Sequence, residues 1–417
     1  MSTTDPEFLS DFAEMSGFGA TPGGGVDRQA GTPADHETRR WFSAWLARHG
    51  YAEAIDKAGN QFGTLELVPG APYVLVGSHL DSQPLAGRYD GAYGVLAAAH
   101  AGARVAAEAK AGSLDPVYNL AVVNWFNEEG SRFTPSMMGS GVFTGKLALE
   151  DALATTDPAG VSVREALAIG HLTADGTAPA LAQVARYAEI HIEQGRNLEE
   201  SGTQVGIVDR TWAAGKYRVT VDGAQSHTGA TRMEDRRDAL YGAALVIAAA
   251  RELAAEFEPG LLHTSVSEMY VYPNSPVTIA RQVVMNLDLR SPDEGVLARA
   301  MELVEKWIGD AEARSRTEIH LELTHRWGLV SYQPAGVQLG FASAERLGFT
   351  HTNIMTVAGH DSTNLKDVVP TVMLFVPSVE GISHNEAEFT HDDDALRGVE
   401  LLTEVTRRLV RGELAEK

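Results

Sequence analysis

The stretch that decides the fold is residues 73–83, which read Tyr-Val-Leu-Val-Gly-Ser-His-Leu-Asp-Ser-Gln. Its first four residues form an apolar run of strand length, typical of a strand buried on both faces of a parallel sheet. The run leads to His79 and Asp81, and Asp90 follows in a Gly-rich loop. Because α/β sheets bind ligands at the carboxyl ends of their strands, we interpret His79 and Asp90 as metal ligands. The Asp81 carboxylate is predicted to accept the second ring N–H of His79 and fix its tautomer.

Composition limits the classes of protein that the chain can belong to. Its 417 residues suffice for one large or two ordinary domains, and its apolar fraction of 44% allows a sizeable core. With no cysteine, disulfides are excluded, and any transition-metal site must use histidine and carboxylate ligands. The net charge of −22 argues against nucleic acid and anionic membranes as partners. We expect no membrane helix and no signal peptide, and a cytoplasmic location fits the lack of cysteine.

Two further predicted strands end in residues that can bind metal. The apolar segment 119–126 runs into Glu128 and Glu129, whose side chains should point in different directions and can therefore serve a proton and a metal separately. A third predicted strand ends at His191, and His384 lies in a later loop. Each segment alone could be an acidic turn or a structural histidine. Repetition of the pattern at several strand ends favours a functional site.

The hydrophobic pattern changes near residue 209. Residues 209–326 read as strand, helix, two strands, helix and strand with alternating strands, which predicts a four-stranded antiparallel sheet with two helices on one face. The flanking segments return to an α/β pattern. We therefore predict a catalytic metal-binding domain of residues 1–208 and 327–417 with a mixed, largely parallel sheet, interrupted by an α+β domain of residues 209–326.

The residue types indicate a hydrolytic metal centre. Two divalent ions about 3.5–4 Å apart can share a water and lower its pKa toward neutrality. Ligation by nitrogen and oxygen alone suits Zn²⁺, Mn²⁺, Co²⁺ or Ni²⁺, with Zn²⁺ our first expectation. Glu128 is then the predicted general base, since it lies beside a ligand but is turned away from it. The candidate ligands are His79, Asp90, Glu129, His191 and His384.

Seven motifs along nearly the whole chain resemble the M20 metallopeptidase-like hydrolases, and within them the hydantoinase/carbamoylase family of amidases. That group includes N-carbamoyl-L-amino-acid hydrolases, β-ureidopropionase and allantoate amidohydrolase. The resemblance implies a phosphorylase/hydrolase-like catalytic domain with an inserted lid or dimerisation domain, and two divalent metal ions per subunit. The motifs are Gly23–Val26, Gly77–Pro84, Asp90–Val95, Asn127–Phe133, His191–Gly195, Ala358–Asp361 and Gly381–His384.

The resemblance also implies a role for each matching residue. It places His79, Asp90 and His191 at one metal. It places Asp90, Glu129 and His384 at the other, so that Asp90 bridges, with Glu128 as base. In the inserted domain, His227 corresponds to a histidine that polarises the substrate carbonyl, and Arg290 to an arginine that binds the substrate carboxylate. The further implied substrate contacts are Asn274, Gln194 and His360.

Alternatives remain open for the inserted domain. His227 could be a surface loop histidine, and Arg290 could pair with an acid at a strand end. The family pattern implies a homodimer through residues 209–326, and His227 could act in its own or in the neighbouring subunit. Two positions depart from the family: Val277 stands where relatives usually carry an asparagine, and Arg232 where they usually carry a proline. These departures should change which acyl or amino part of a substrate is accepted.

Three functions are compatible with these observations. The first is hydrolysis of an N-carbamoyl-L-amino acid or related ureido acid, a small carboxylate substrate, to amino acid, ammonia and carbon dioxide. The second is hydrolysis of an N-acyl amino acid or small peptide by the same centre. The third, a non-catalytic binding protein on a hydrolase fold, predicts missing ligands or a missing base. Every expected position is filled, which favours an enzyme.

Overall fold

The computed structural model describes residues 5–172, 174 and 176–414, so both ends of the predicted catalytic domain lie outside the described residues. The chain separates into two compact units, Met1–Asp209 with Tyr332–Lys417, and Arg210–Ser331. The second junction falls five residues beyond the expected position. Val330 still belongs to the inserted unit because its carbonyl accepts the Thr211 N–H (3.0 Å). Within the described ranges, no helix is long and apolar enough to cross a membrane.

Fourteen strands are found in the described part of the chain. They fall into one sheet of eight strands, one of four and one of two. In chain order they are β1 (Ala52–Ile55), β2 (Gln61–Leu65), β3 (Tyr73–His79), β4 (Asn119–Trp125), β5 (Val184–Ile192), β6 (Val205–Thr211), β7 (Ala213–Asp222), β8 (Ser226–His227), β9 (His263–Tyr272), β10 (Thr278–Ile279), β11 (Gln282–Ser291), β12 (Glu318–Trp327), β13 (His351–Thr356) and β14 (Thr371–Val376).

The eight-stranded sheet has the order β1-β2-β4-β3-β5-β14-β6-β13. Its four central strands, β4, β3, β5 and β14, are parallel, whereas β1, β2 and β6 pair with their neighbours in the antiparallel sense. The predicted mixed sheet is thereby confirmed. Because side chains alternate along a strand, Val74 and Val76 pack in the core on one face while Leu75 packs on the other. The carboxyl ends of the four parallel strands meet at one edge of the sheet.

Helices cover both faces of the eight-stranded sheet. On the larger sheet, α3, α10 and α12 pack over one face, and α11 packs against β5 and β14. The α-helices are α1 (Pro6–Met15), α2 (Pro33–Arg48), α3 (Ala92–Lys110), α4 (Met138–Phe143), α5 (Leu149–Ala154), α6 (Val163–Ile169), α7 (Asn197–Ser201), α8 (Ala239–Leu253), α9 (Glu294–Ser315), α10 (Pro334–Leu347), α11 (Asp361–Leu365) and α12 (Asp392–Val410).

The inserted unit contains a four-stranded antiparallel sheet of order β12-β7-β11-β9. Helices α8 and α9 pack on one face of it, where Val219, Val283 and Leu287 are buried against Val246 and Val304. The predicted four-stranded sheet with two helices is therefore confirmed. The short strands β8 and β10 form a separate antiparallel ribbon that the sequence did not predict.

Candidate metal centre

Five side chains from separate segments of the larger unit converge at the carboxyl edge of its parallel strands. His79 ends β3, His191 lies near the end of β5, and Asp90 precedes α3. Glu129 follows β4, and His384 lies in the loop after β14. The structure thus brings together all five predicted ligands in two groups of three, His79 with Asp90 and His191, and Asp90 with Glu129 and His384. Within each group the donor atoms lie within 4.8 Å of one another.

Asp90 belongs to both groups and divides its two oxygens between them. Its Oδ1 lies 3.5 Å from His79 Nε2 and 3.0 Å from His191 Nε2. Its Oδ2 lies 3.3 Å from His384 Nε2, and that nitrogen also lies 3.3 Å from Glu129 Oε2. Oxygen and nitrogen donors in two sets that share one carboxylate suit a pair of divalent cations.

The two buried histidines present the same ring nitrogen to the centre. His79 Nδ1 donates to the carbonyl of Asp81 (3.0 Å), and His191 Nδ1 donates to the carbonyl of Ile192 (2.9 Å). These contacts place the Nδ1 proton of each ring on a backbone carbonyl and turn Nε2 toward the centre, which is the arrangement that such hydrogen bonds commonly impose on metal-binding histidines.

The expected role of the Asp81 side chain is wrong. Its Oδ1 lies 3.7 Å from His79 Nδ1, so the backbone carbonyl of Asp81 takes the proton instead. The carboxylate accepts the backbone N–H groups of Glu128 and Glu129, each at 3.2 Å. Asp81 therefore orients His79 through its main chain and the two glutamates through its side chain.

The backbone near the centre adopts conformations that few residues tolerate. Gly91 has φ of 65°, and a Cβ added there would lie 2.2 Å from Cε1 of His79. The Gly91 N–H also points to Nε2 of His191 (3.0 Å). Asn127 and His384, which are not glycines, both have φ of 53°. Such left-handed conformations are uncommon outside glycine and cluster at functional sites.

Polar residues that the sequence interpretation missed surround the carboxylate ligands. Gln83 Nε2 donates to Glu129 Oε2 (2.9 Å). Ser383 lies within hydrogen-bonding distance of both Asp90 Oδ2 (3.0 Å) and Glu388 Oε2 (2.9 Å). Glu388 also accepts the Asp90 N–H (3.0 Å) through its other oxygen. Gln83 and Ser383 belong to motifs quoted above, whereas nothing in the sequence distinguishes Glu388 from a surface acid.

Two predicted substrate contacts lie in the larger unit. Gln194 donates from Nε2 to Asp90 Oδ2 (2.8 Å) and to Ser383 Oγ (2.9 Å), so its amide orients the shared carboxylate. His360 is buried, and its ring lies 4.5 Å from that of His191 between centroids. Its Nε2 has no hydrogen-bond partner among the described residues. A buried unpaired nitrogen needs a ligand or water, because leaving it unpaired costs about 1–3 kcal/mol.

Glu128 and Glu129 point to different partners, as expected. Glu128 Oε2 lies 3.5 Å from His79 Nε2, whereas Glu129 faces His384. Burial, together with the negative charges of Asp361 and Glu129, raises the pKa of Glu128 well above its usual value. A raised pKa makes this carboxylate a stronger proton acceptor, which suits a general base.

The carboxylates favour positive charge at the histidines. Burial has the largest single effect on His191 and opposes protonation, but the hydrogen bond to Asp90, the charges of Asp90 and Glu189 and the hydrogen bond to the Ile192 carbonyl together outweigh it and raise the pKa of His191 to about 9. In the same way, burial opposes protonation of His384, but the hydrogen bonds to Asp90 and Glu129 together with the negative charges of both carboxylates outweigh it and raise the pKa of His384 to about 11. The same electrostatic field would stabilise a divalent cation held by these groups.

The remaining predicted residues lie in the inserted unit. His227 ends β8 and is exposed, and Asn274 is exposed in the loop that follows β9. Arg290 lies near the end of β11 and pairs with Asp288 through two hydrogen bonds, Nε to Oδ1 at 3.1 Å and a terminal nitrogen to Oδ2 at 2.7 Å. The exposed loop histidine and the acid-paired arginine thus have the geometry of the alternatives considered above.

Comparisons with known proteins identify the class. The profile of peptidase family M20/M25/M40 matches residues 75–408, and the chain belongs to this family. It is 36% identical to the N-carbamoyl-L-amino-acid amidohydrolase of Rhizobium meliloti over 93% of this chain and 92% of that protein. It is 31% identical to the allantoate amidohydrolase of Bacillus subtilis over 96% and 97% of the two chains.

A solved structure narrows the class further. The hydantoinase/carbamoylase family amidase of Burkholderia vietnamiensis superposes with a TM-score of 0.90 and 34% identity, covering 97% of each chain. The protein is therefore an enzyme of the M20 family, a hydrolase of amide C–N bonds that is similar to the hydantoinase/carbamoylase amidases. The family resemblance predicted from the sequence is confirmed.

Proposed function

We propose that the protein is a binuclear metal-dependent amidohydrolase of N-carbamoyl-L-amino acids or related ureido acids. The products would be the amino acid, ammonia and carbon dioxide. The observation that carries the proposal is the division of the Asp90 oxygens between two histidine-containing donor groups. The similarity to an N-carbamoyl-L-amino-acid amidohydrolase and to an allantoate amidohydrolase supports the ureido substrate class.

The metal ligands of this proposal are the two groups of three described above. When bound, two divalent ions would polarise the substrate carbonyl and lower the pKa of the attacking water. We assign Zn²⁺ first, with Mn²⁺, Co²⁺ or Ni²⁺ as alternatives, because the donors are only imidazole and carboxylate. Hydrogen bonds from Gln194 and Ser383 to Asp90, and from Gln83 to Glu129, hold these carboxylates in place.

Proton transfer is assigned to Glu128. Its carboxylate takes a proton from the attacking water and passes that proton to the leaving nitrogen, so that the C–N bond breaks with ammonia or an amine as the leaving group. Its buried position beside His79 and its raised pKa support this role. Asp81 supports it by fixing the Glu128 backbone.

The substrate contacts that we assign are those implied by the family resemblance. His227 would donate a hydrogen bond to the carbonyl oxygen, and Arg290 would bind the substrate carboxylate, with Asn274 as a further contact. The unpaired Nε2 of His360 supports a polar contact in the larger unit. Arg290 is already paired with Asp288. A substrate carboxylate would therefore either bind beside this ion pair or displace Asp288 from it.

A homodimer through residues 209–326 is part of the proposal. Strand β9 lies at the edge of the inserted sheet and carries Met269, Tyr270 and Tyr272, whose exposed fractions are 44%, 47% and 42%. A long edge strand with exposed large apolar side chains is prone to associate with another chain. The second subunit is the partner that the family resemblance implies.

Hydrolysis of N-acyl amino acids is the second candidate. Val277 is 61% exposed and offers an apolar side chain where the family pattern has an amide. Its carbonyl accepts the Thr228 N–H (3.2 Å), so Val277 lies beside the residue that follows His227. An apolar surface here would favour an acyl group over a carbamoyl group, because a carbamoyl nitrogen would lack a hydrogen-bond partner there.

One experiment separates these functions. The purified protein is analysed for bound metal and assayed with N-carbamoyl, N-formyl and N-acetyl forms of one L-amino acid. Ammonia release with the carbamoyl form alone supports the first proposal, whereas turnover of the acyl forms alone supports the second. Glu128→Gln should keep its metal but lose about 10²–10⁴-fold in kcat. Full turnover by this variant would remove Glu128 from the base role.

A further inference from the structure

The His227 loop of the inserted unit directs two backbone donors at one nitrogen of the imidazole ring. Nδ1 of His227 lies 3.0 Å from the Gly229 backbone nitrogen and 3.1 Å from that of Ala230. Both groups are N–H donors, so Nδ1 must accept and cannot itself carry a proton. In the neutral ring the proton is then on Nε2.

The same loop is held closed by its own backbone and by a guanidinium. The His227 carbonyl accepts the Thr231 N–H (3.1 Å), which closes a single turn around the ring. Arg236 donates from Nε and from a terminal nitrogen to the Thr231 carbonyl (3.2 and 3.1 Å). That terminal nitrogen also donates to the Thr228 carbonyl. Through these hydrogen bonds the partly buried Arg236 connects both ends of residues 228–231.

The ring is also placed by its strand. His227 pairs with Thr278 in the β8–β10 ribbon, which fixes the backbone from which the side chain projects. The side chain is exposed, so its Nε2–H is available to an incoming acceptor. A neutral donor with a fixed direction is what stabilisation of a carbonyl oxygen requires, because no reorganisation is needed when charge develops.

We infer that residues 228–231 and Arg236 lock His227 in the Nε2–H tautomer, which makes Nε2 the hydrogen-bond donor to the substrate carbonyl and makes Arg236 a positioning residue. This inference rests on the proposed function only for the identity of the acceptor. The tautomer and its dependence on Arg236 follow from contacts within the inserted unit.

The test is ¹⁵N NMR of the metal-loaded, full-length protein labelled at histidine. Long-range ¹H–¹⁵N correlations distinguish the two tautomers, and the signal lost in His227→Gln assigns His227. The wild-type protein should show the Nε2–H pattern. Arg236→Met should shift the ring toward a mixture of tautomers and lower kcat by about 10- to 100-fold, because a displacement of about 1 Å can cost about 100-fold.

The matched control is Arg237→Met. Arg237 is the next residue in the chain, is exposed, and donates to the Arg316 carbonyl (3.0 Å) rather than to the loop. This variant should leave the His227 signal and kcat unchanged. Arg236→Lys should restore part of the loss, since one ammonium can bond at least one of the two carbonyls.

Each outcome decides a separate point. An Nδ1–H pattern in the wild-type protein overturns the tautomer assignment, whether or not any variant folds. An unchanged ring signal and kcat in Arg236→Met overturn the positioning role. If the Nε2–H pattern is found but His227→Gln keeps full kcat, the proposed carbonyl contact fails while the tautomer assignment stands.

Discussion

Replacing Gly91 with alanine should disable the metal centre through one steric contact. The added Cβ would lie 2.2 Å from Cε1 and 2.3 Å from Nε2 of His79, whereas ordinary contact begins at 3.4 Å. The imidazole must therefore retreat by about 1.2 Å, since the carbon belongs to a backbone already fixed by its neighbours. Metal–ligand distances tolerate only about 0.2 Å. His79 would then no longer contribute to the group that it forms with Asp90 and His191.

The expected size of the effect follows from that displacement. A shift of about 1 Å in a positioned group can cost about 100-fold in rate, so kcat/KM should fall by at least about 100-fold. Gly91→Ala should also bind less than the wild-type amount of metal after dialysis, as measured by inductively coupled plasma mass spectrometry. Part of the stability loss will come from the backbone, because φ of 65° at a non-glycine residue costs about 1–3 kcal/mol.

Gly112→Ala isolates the backbone cost. Gly112 has φ of 72°, yet nothing lies within 4 Å of its added Cβ. Both variants should lose comparable stability in urea unfolding of the metal-free proteins, but only Gly91→Ala should lose metal and activity. If Gly91→Ala binds and turns over like Gly112→Ala, the assignment of His79 as a ligand is refuted.

Three further variants test other parts of the structure. Glu388→Gln replaces an oxygen that faces Ser383. The variant should bind metal about 10- to 100-fold more weakly, as measured by competition with a chelating dye. A metal Kd within twofold of wild type would contradict the role given to Glu388. Burial lowers the pKa of His100, so this ring stays neutral in the native state while the unfolded state takes up a proton. As pH falls below about 6.5, the free energy of unfolding of the wild type should fall by up to about 1.4 kcal/mol per pH unit relative to that of His100→Gln, as measured by urea unfolding. His320→Gln, at an exposed histidine, is the control. If the stabilities of wild type and His100→Gln change in parallel with pH, this effect is excluded. Met269→Glu should shift a dimer toward monomer in light scattering, and an unchanged mass would place the interface elsewhere.

The hydrophobic pattern of the sequence was sufficient to predict the architecture of both units. The run at 73–76 is apolar at every position, and it became β3 at the centre of the larger sheet. The alternation in residues 209–326 likewise predicted the four-stranded sheet and its helices. These features follow from side-chain periodicity and burial, which neighbouring residues determine. The ribbon of β8 and β10 escaped prediction because two-residue strands carry no periodicity.

The hydrogen-bond partners of individual polar atoms were harder to predict from the sequence. Asp81 was expected to reach His79 through its carboxylate, but the chain turns so that its carbonyl is nearer. Gln194 was assigned to substrate, yet its amide binds Asp90. In both cases a hydrogen bond depends on backbone direction over two or three residues, and several residues near the centre have positive φ.

The sequence by itself determined which residue types this protein can use for chemistry, because histidine and carboxylate at successive strand ends reach one edge of any parallel sheet. It could not determine how those groups share their oxygens and protons. The bridging position of Asp90 was predicted, but only the tertiary structure decided which of its oxygens faces each donor group, and that Glu388 and Ser383, distant from it in sequence, hold it there. The physical reason is that hydrogen-bond geometry is set to a few tenths of an ångström by packing across segments, and no local pattern records it.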